Sequence, residues 1–247
     1  MRSVDRTVDE VDDGAAAREV WREGLGVAIA TSAYGISFGA LAVASGLDVW
    51  QTCVLSLLMF TGGSQFAFIG VFGAGGIAAL PSAIASAALL GVRNVAYGMR
   101  MSSIIGDGFW RRAAAAQVTI DESTAVAISQ GSTRLRRLGF WITGLGVFIG
   151  WNLTTLAGAL LGDVLGDPKT WGLDAAAAAA FLALLWPRLK QRQAVAVGVA
   201  AAVVAASLTP FLMPGLPVLV AALVAILVGW FNWLGRDDAP PVKEVSP

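Results

Sequence analysis

The few ionisable and polar residues that interrupt the apolar stretches of this chain are its candidates for chemistry. Arg93, Asp121 and Glu122 lie in or beside apolar sequence. A charge facing lipid at such depth costs ~2.5 to 3.5 kcal/mol, so each needs a partner or a water-lined cavity. Arg93 is expected to pair with a carboxylate, and Asp121 or Glu122 is the partner to propose. Thr61-Gly-Gly-Ser-Gln65 is the second feature. Adjacent Gly62 and Gly63 weaken a helix, while Ser64 and Gln65 bring polar groups to hydrocarbon depth. A break there would offer N–H groups to a carboxylate and carbonyls to a cation, because half-helix ends carry partial charge. Close packing of small residues, with Gln65 bonded to a neighbour, explains the same run equally well.

Trp151, Asn152, Thr154 and Thr155 place an aromatic and three polar groups near the middle of another apolar stretch, where lipid would satisfy none of them. They are expected to face the bundle interior, as lining of a site or as structural glue. On one regular helix Gln117, Asp121 and Thr124 would share a face, with Glu122 about 100° away, so the two acids could not serve one small site. Asp174 suits a helix N-terminus, and capping is its favoured role. Gly35-Ile-Ser-Phe-Gly39 and Gly146-Val-Phe-Ile-Gly150 are small-xxx-small patterns that packing explains best. Asp107-Gly-Phe-Trp-Arg-Arg112 reads as a polar loop, since the further aspartates of a metal-dependent phosphotransferase do not follow at helical spacing.

Composition limits what these residues can be asked to do. The chain has 247 residues, of which 56% are hydrophobic and 14% charged, more apolar surface than one small soluble core could cover. Its 17 basic and 17 acidic residues cancel, which gives no basic footprint for nucleic acid. Cys53 is the single cysteine and histidine is absent, so internal disulfides, imidazole or thiolate metal cages and histidine-dependent triads are excluded within this chain. A P-loop is missing too. No cofactor is implied, and catalysis is not the expected activity.

The elements that must position the candidates read as an all-α, polytopic transmembrane bundle of about seven or eight segments, at least one of them broken. Residues 1–24, with seven acids and four arginines, are expected to form a disordered cytoplasmic tail. Residues 25–235 form the membrane region and 236–247 a polar C-terminal tail. Apolar segments fall at 25–47, 49–72, 77–97, 140–161, 173–186, 194–212 and 216–234, each judged against the ~30 Å hydrocarbon layer. Segment 113–128 is ambiguous because Asp121 and Glu122 interrupt it. The basic loops Arg134-Leu-Arg-Arg137 and Arg188-Leu-Lys-Gln-Arg192 belong on the cytoplasmic side, as do both termini. An even number of crossings must then precede Arg134. Either four segments cross, leaving Arg100, Arg111 and Arg112 outside, or two do; four, giving eight spans in all, is the expectation.

Gly35-Ile-Ser-Phe-Gly39, Phe60-Thr-Gly-Gly-Ser-Gln65, Arg93-Asn-Val-Ala-Tyr-Gly98, Asp121-Glu-Ser-Thr124 and Gly172-Leu-Asp174, in this order and spacing, resemble the AzlC family of branched-chain amino-acid permeases. The resemblance covers about residues 24–234. It implies movement of leucine, isoleucine or valine through the bacterial inner membrane, commonly export, by the large subunit of a pair whose other member is a small AzlD-type membrane protein. Where many relatives read Asn-x-Arg-His, this chain reads Gly91-Val-Arg-Asn94, so no imidazole role carries over. Combined with the reading of the residues, the resemblance nominates Gly62, Gly63, Ser64, Gln65 and Asn152 for substrate, and Arg93, Asp121, Glu122 and Asp174 for coupling or ion pairing. A non-transporting accessory subunit is the alternative, and a membrane enzyme a weaker third.

Overall fold

The computed structural model describes residues 2–165, 182, 186, 189–190, 192–213 and 215–231. Among them every regular element is helical. Three helical runs are long and apolar enough to cross a membrane, 14–44, 62–105 and 133–164, and shorter apolar helices accompany them.

Helix α1 (Arg2–Ala44) and helix α7 (Thr133–Leu165) form the spine. Glycines make their contact close. A Cβ on Gly39 would collide with the backbone of Thr155 and Ala159, and one on Gly158 with the backbone of Ile36. Gly146 meets Ala28 and Gly150 meets Ser32, so both small-xxx-small patterns are packing devices, as expected. Positions along the two helices rise together, from Gly24 against Ile142 and Thr143 to Ala40 against Gly162, so they run parallel.

Helix α1 takes in the segment expected to be a disordered tail. Helix begins at Arg2, and Val20 is buried. Gln130 Nε2 donates to Glu23 Oε2 at 2.9 Å. The apolar side of the last two turns before Leu25 gives the segment something to bury, which a count of its charges conceals.

Between the spine helices the chain turns back on itself twice. Helix α2 (Val49–Leu58) starts with a capping box: Asp48 Oδ1 accepts from Gln51 N at 2.7 Å, and Gln51 Oε1 from Asp48 N at 3.0 Å. It stops at Met59, and helix α3 (Gly62–Gly75) begins after Thr61. Gly73, near the end of α3, approaches Ser45 at the end of α1. Helices α2 and α3 therefore enter and leave by the same face, as a re-entrant pair whose tip is the break at 59–61. The break expected at Thr61–Gln65 is present, with the glycines forming the first turn of α3.

A 3₁₀ turn (Gly76–Ala79) leads to α4 (Leu80–Ile105), with Pro81 in its first turn, where a missing N–H costs nothing. Helix α4 runs antiparallel to α3, with Ser64 beside Gly91, and crosses to the opposite face. There Arg137 Nε donates to Ile104 O. Gly106 ends α4 at φ +87°, in the region glycine favours.

Segment 113–128 is not one helix. Helix α5 (Phe109–Gln117) and helix α6 (Asp121–Ser129) are separated by Val118-Thr119-Ile120, three β-branched residues that disfavour helix. Hydroxyl groups close the gap: Thr119 Oγ1 donates to Ala115 O at 2.6 Å, and Ser123 Oγ accepts from Ile120 N at 3.0 Å. Helix α6 returns beside Gly139 and ends near Glu23. This second re-entrant pair thus enters from the face where α1 and α7 begin.

Before Arg134, α1 and α4 run the length of the bundle while α2–α3 and α5–α6 turn back. This arrangement matches the two-crossing alternative rather than the four crossings expected, and Arg100, Arg111 and Arg112 lie toward the same face as Arg134. The physical reason is that a half-helix with Asp121 and Glu122 at its start complements its own dipole, whereas a lipid-facing through-helix would carry both charges unpaired. Helices α8 (Arg192–Leu208) and α9 (Leu216–Phe231) pack on each other, and α9 also meets α4. Asp174, Trp171 and most of segment 173–186 lie outside the described residues.

Candidate functional site

The two breaks meet. Gln117 Nε2, at the tip of the second pair, donates to Leu57 O at the tip of the first at 2.8 Å. Phe60 and Ile120, one from each break, belong to one buried apolar cluster with Phe66, Val147 and Trp151. Phe60 also packs edge-on against Phe148 with centroids 5.0 Å apart.

Around these tips the polar groups divide into two sets. The first holds the break together. Gln65 is fully buried, and its Nε2 donates to Met59 O at 2.9 Å and to Ser56 O at 3.3 Å. Its Oε1 accepts from Trp151 Nε1 at 2.8 Å. Gln65 therefore satisfies carbonyls at the end of α2 that have no helical partner and ties them to α7. Of the two readings the sequence left open for Gln65, these bonds give it the neighbour-bonding, positioning one. Gly62 supports the arrangement, since a Cβ there would come within 3.1 Å of the Trp151 ring.

The second set has capacity to spare. Thr61 provides no side-chain cap for α3, so the first-turn amides of Gly62, Gly63 and Ser64 have no carbonyl within their helix to bond. Ser64 is 1% exposed and its hydroxyl has no partner. Arg93 reaches this turn from α4: a Cβ on Gly63 would sit 2.9 Å from Nη2. Nη1 lies 3.7 Å from Asp121 Oδ2 at the start of α6. That separation is an ion pair, longer than the 2.7–2.9 Å of a charge-assisted hydrogen bond. Arg93 Nε is buried without a partner, as are Asn94 Oδ1 and Thr124 Oγ1.

Arg93 therefore spans both breaks, with the positive end of α3 on one side and the Asp121 carboxylate on the other. Its expected pairing with a carboxylate is present, with Asp121 as the partner. Glu122 follows Asp121 in the first turn of α6, so both acids stand at the break, still about 100° apart on their helix, while Gln117 belongs to α5 and does not share their helical face. Asn152 is set apart. It is half-buried, its Nδ2 donates to Phe148 O of its own helix at 2.7 Å, and its Oδ1 has no partner.

Sequence reasoning missed Gln117 and the apolar pair Phe60 and Ile120 as parts of this junction. Gln117 directly precedes the β-branched triplet, and that was the available signal. In sum, an uncapped helix start beside a guanidinium can hold a carboxylate, a neighbouring acid can hold an ammonium group, and aromatic walls can hold an apolar side chain.

Comparison with known proteins places this geometry in context. A family model described as AzlC protein matches residues 26–165, which contain the second half of α1, α2 to α6 whole, and α7 to its end. A relative from Archaeoglobus fulgidus, described as an uncharacterized membrane protein, is 30% identical over 199 residues, covering 78% of this chain and 85% of its own length. No solved structure matches.

Proposed function

The chain belongs to the AzlC family, and from that premise we propose that it is a secondary transporter of branched-chain or related small hydrophobic amino acids. Family membership supports a membrane transport role, and the junction of the two breaks supports this class of solute. One observation carries the reading: unused buried polar groups on α3, α4 and α6 gather where Arg93 stands between Gly63 and Asp121.

In this reading the α-carboxylate of the solute binds the amides of Gly62, Gly63 and Ser64 beside Arg93. Its ammonium group binds Asp121 or Glu122, inserting into the 3.7 Å ion pair. Phe60, Phe148 and Ile120 form the wall for a branched side chain. Movement of the two re-entrant pairs about this point opens it to one face and then the other. Arg100, Arg111, Arg112, Arg134, Arg136 and Arg137 lie toward the face where α1 begins, which favours a cytoplasmic N-terminus in a bacterial inner membrane. Residues 25–235 form the transport domain, and a small AzlD-type membrane subunit completes the unit.

Reconstitution tests the proposal. Purified chain in liposomes, alone and with the small subunit, is expected to exchange labelled leucine, isoleucine or valine. Asp121→Asn and Arg93→Gln, in protein that still inserts, are expected to lose most of that exchange. Silence of both preparations toward all three amino acids would favour the accessory-subunit alternative, and full exchange by both variants would remove the site.

A further inference from the structure

The turn that joins α4 to α5 has no part in the transport reading, yet three guanidinium groups converge on it. Gly106 and Gly108 both have positive φ, +87° and +116°, so the backbone turns sharply with no side chain at Gly106 to fill the concave side. The point where a Cβ of Gly106 would sit lies 3.4 Å from Arg137 Nη2 and 3.5 Å from Arg111 Nη1. Two positive side chains from different helices thus border one open position, at a distance slightly longer than an N–H···O hydrogen bond. The third, Arg112, is already engaged: Nη2 donates to Asp107 Oδ1 at 2.8 Å and Nε to Gly106 O at 3.2 Å. Arg111 makes no hydrogen bond or ion pair among the described residues. One carboxylate faces three arginines, and like charges held this close call for an anion between them.

The neighbouring residues indicate which anion. Phe109 and Trp110 follow at once, 76% and 82% exposed, and pack edge to face with centroids 5.1 Å apart. Large exposed aromatics beside arginines, at the end of a membrane-crossing helix, suit the headgroup layer of a bilayer. We propose that the Gly106 turn, with Arg111 and Arg137, binds the phosphate of an anionic phospholipid, whose acyl chains lie along Phe109 and Trp110. Arg137 also bonds Ile104 O, so a bound lipid would fasten the end of α4 to the start of α7.

The test uses the full chain purified in detergent, stripped of lipid, and examined by native mass spectrometry with phosphatidylglycerol or phosphatidylcholine. Phosphatidylglycerol is expected to be retained preferentially. Arg111→Gln is expected to reduce that retention about fivefold, the effect of one arginine beside an anionic surface, while Arg111→Lys restores part of it. Inorganic phosphate alone is expected neither to bind at the turn nor to displace the lipid. Equal retention of the two lipids, an undiminished preference in Arg111→Gln, or displacement by inorganic phosphate would each overturn the proposal. Among the described residues Arg111 has no partner to lose, and unchanged helicity by circular dichroism confirms that the variant is folded.

Discussion

Trp151 donates its indole N–H to Gln65 across 2.8 Å, so one buried hydrogen bond ties the spine helix α7 to the break between α2 and α3. Gln65 in turn holds Ser56 O and Met59 O. Removing the amide leaves Ser56 O and an indole N–H unsatisfied where water is scarce, with Met59 O keeping only its bond from Thr61 N at 2.8 Å, a loss of about 1–3 kcal/mol for a buried group left alone. Gln65→Leu is therefore expected to lower the thermal unfolding midpoint in detergent clearly. Trp151→Phe, which frees only one acceptor, is expected to lower it less. Equal midpoints for wild type and both variants, followed by tryptophan fluorescence or circular dichroism, would show that Gln65 does not hold the break.

The glycines separate into three classes by what a methyl group would meet. Gly39→Ala drives a Cβ into the backbone of Thr155 and Ala159, which cannot give way without parting α1 from α7, so a loss of about 1–3 kcal/mol is expected. Gly26→Ala has nothing within 4 Å and is expected to be neutral or stabilising, because alanine favours helix. Gly63→Ala meets the far end of Arg93, a flexible group, so folding is expected to survive while exchange falls. Paired unfolding and exchange measurements check all three.

Charge reversal addresses the ion pair. Arg93→Asp and Asp121→Arg are each expected to abolish exchange, because each places like charges together at the junction. The double variant is expected to recover part of it. Independent, additive defects measured by the same liposome exchange would show that the two residues do not act as a pair.

The re-entrant arrangement makes a distinct prediction about sidedness. In a Cys53→Ser background, Arg111→Cys and Gly131→Cys are expected to react with a membrane-impermeant thiol reagent from the same face as Arg134→Cys. Asp48→Cys is expected to react from the opposite face. Labelling of positions 111 and 131 from opposite faces would mean that α5 and α6 form a crossing after all.

Much of this was legible in the sequence, in features that act locally or through charge. The break near Gly62 and Gly63 follows from glycine's conformational freedom, the Arg93 partner from the cost of an unpaired charge in hydrocarbon, and the glycine packing from its four-residue spacing. The second break was hidden because no glycine or proline marks it. Val118-Thr119-Ile120 disfavours helix only weakly per residue, and it succeeds because Thr119 and Ser123 hydroxyls replace the lost backbone bonds. The role of Gln65 was equally hidden: a glutamine beside a break can face a solute or its own chain, and only Trp151, 86 residues away, decides it. Parallel pairing of α1 and α7 also depends on the path of the intervening chain, which folds back twice before α7 starts.

That pairing governs what can move. Where main chain touches main chain at Gly39 and Gly158, no cushion of side chains exists to let one rod slip along the other. The couple must behave as a stator. Displacement is left to the four short helices hung beside it, whose tips touch each other through one amide and an apolar contact and reach α4 through one ion pair, joints that can part and re-form without disturbing the frame.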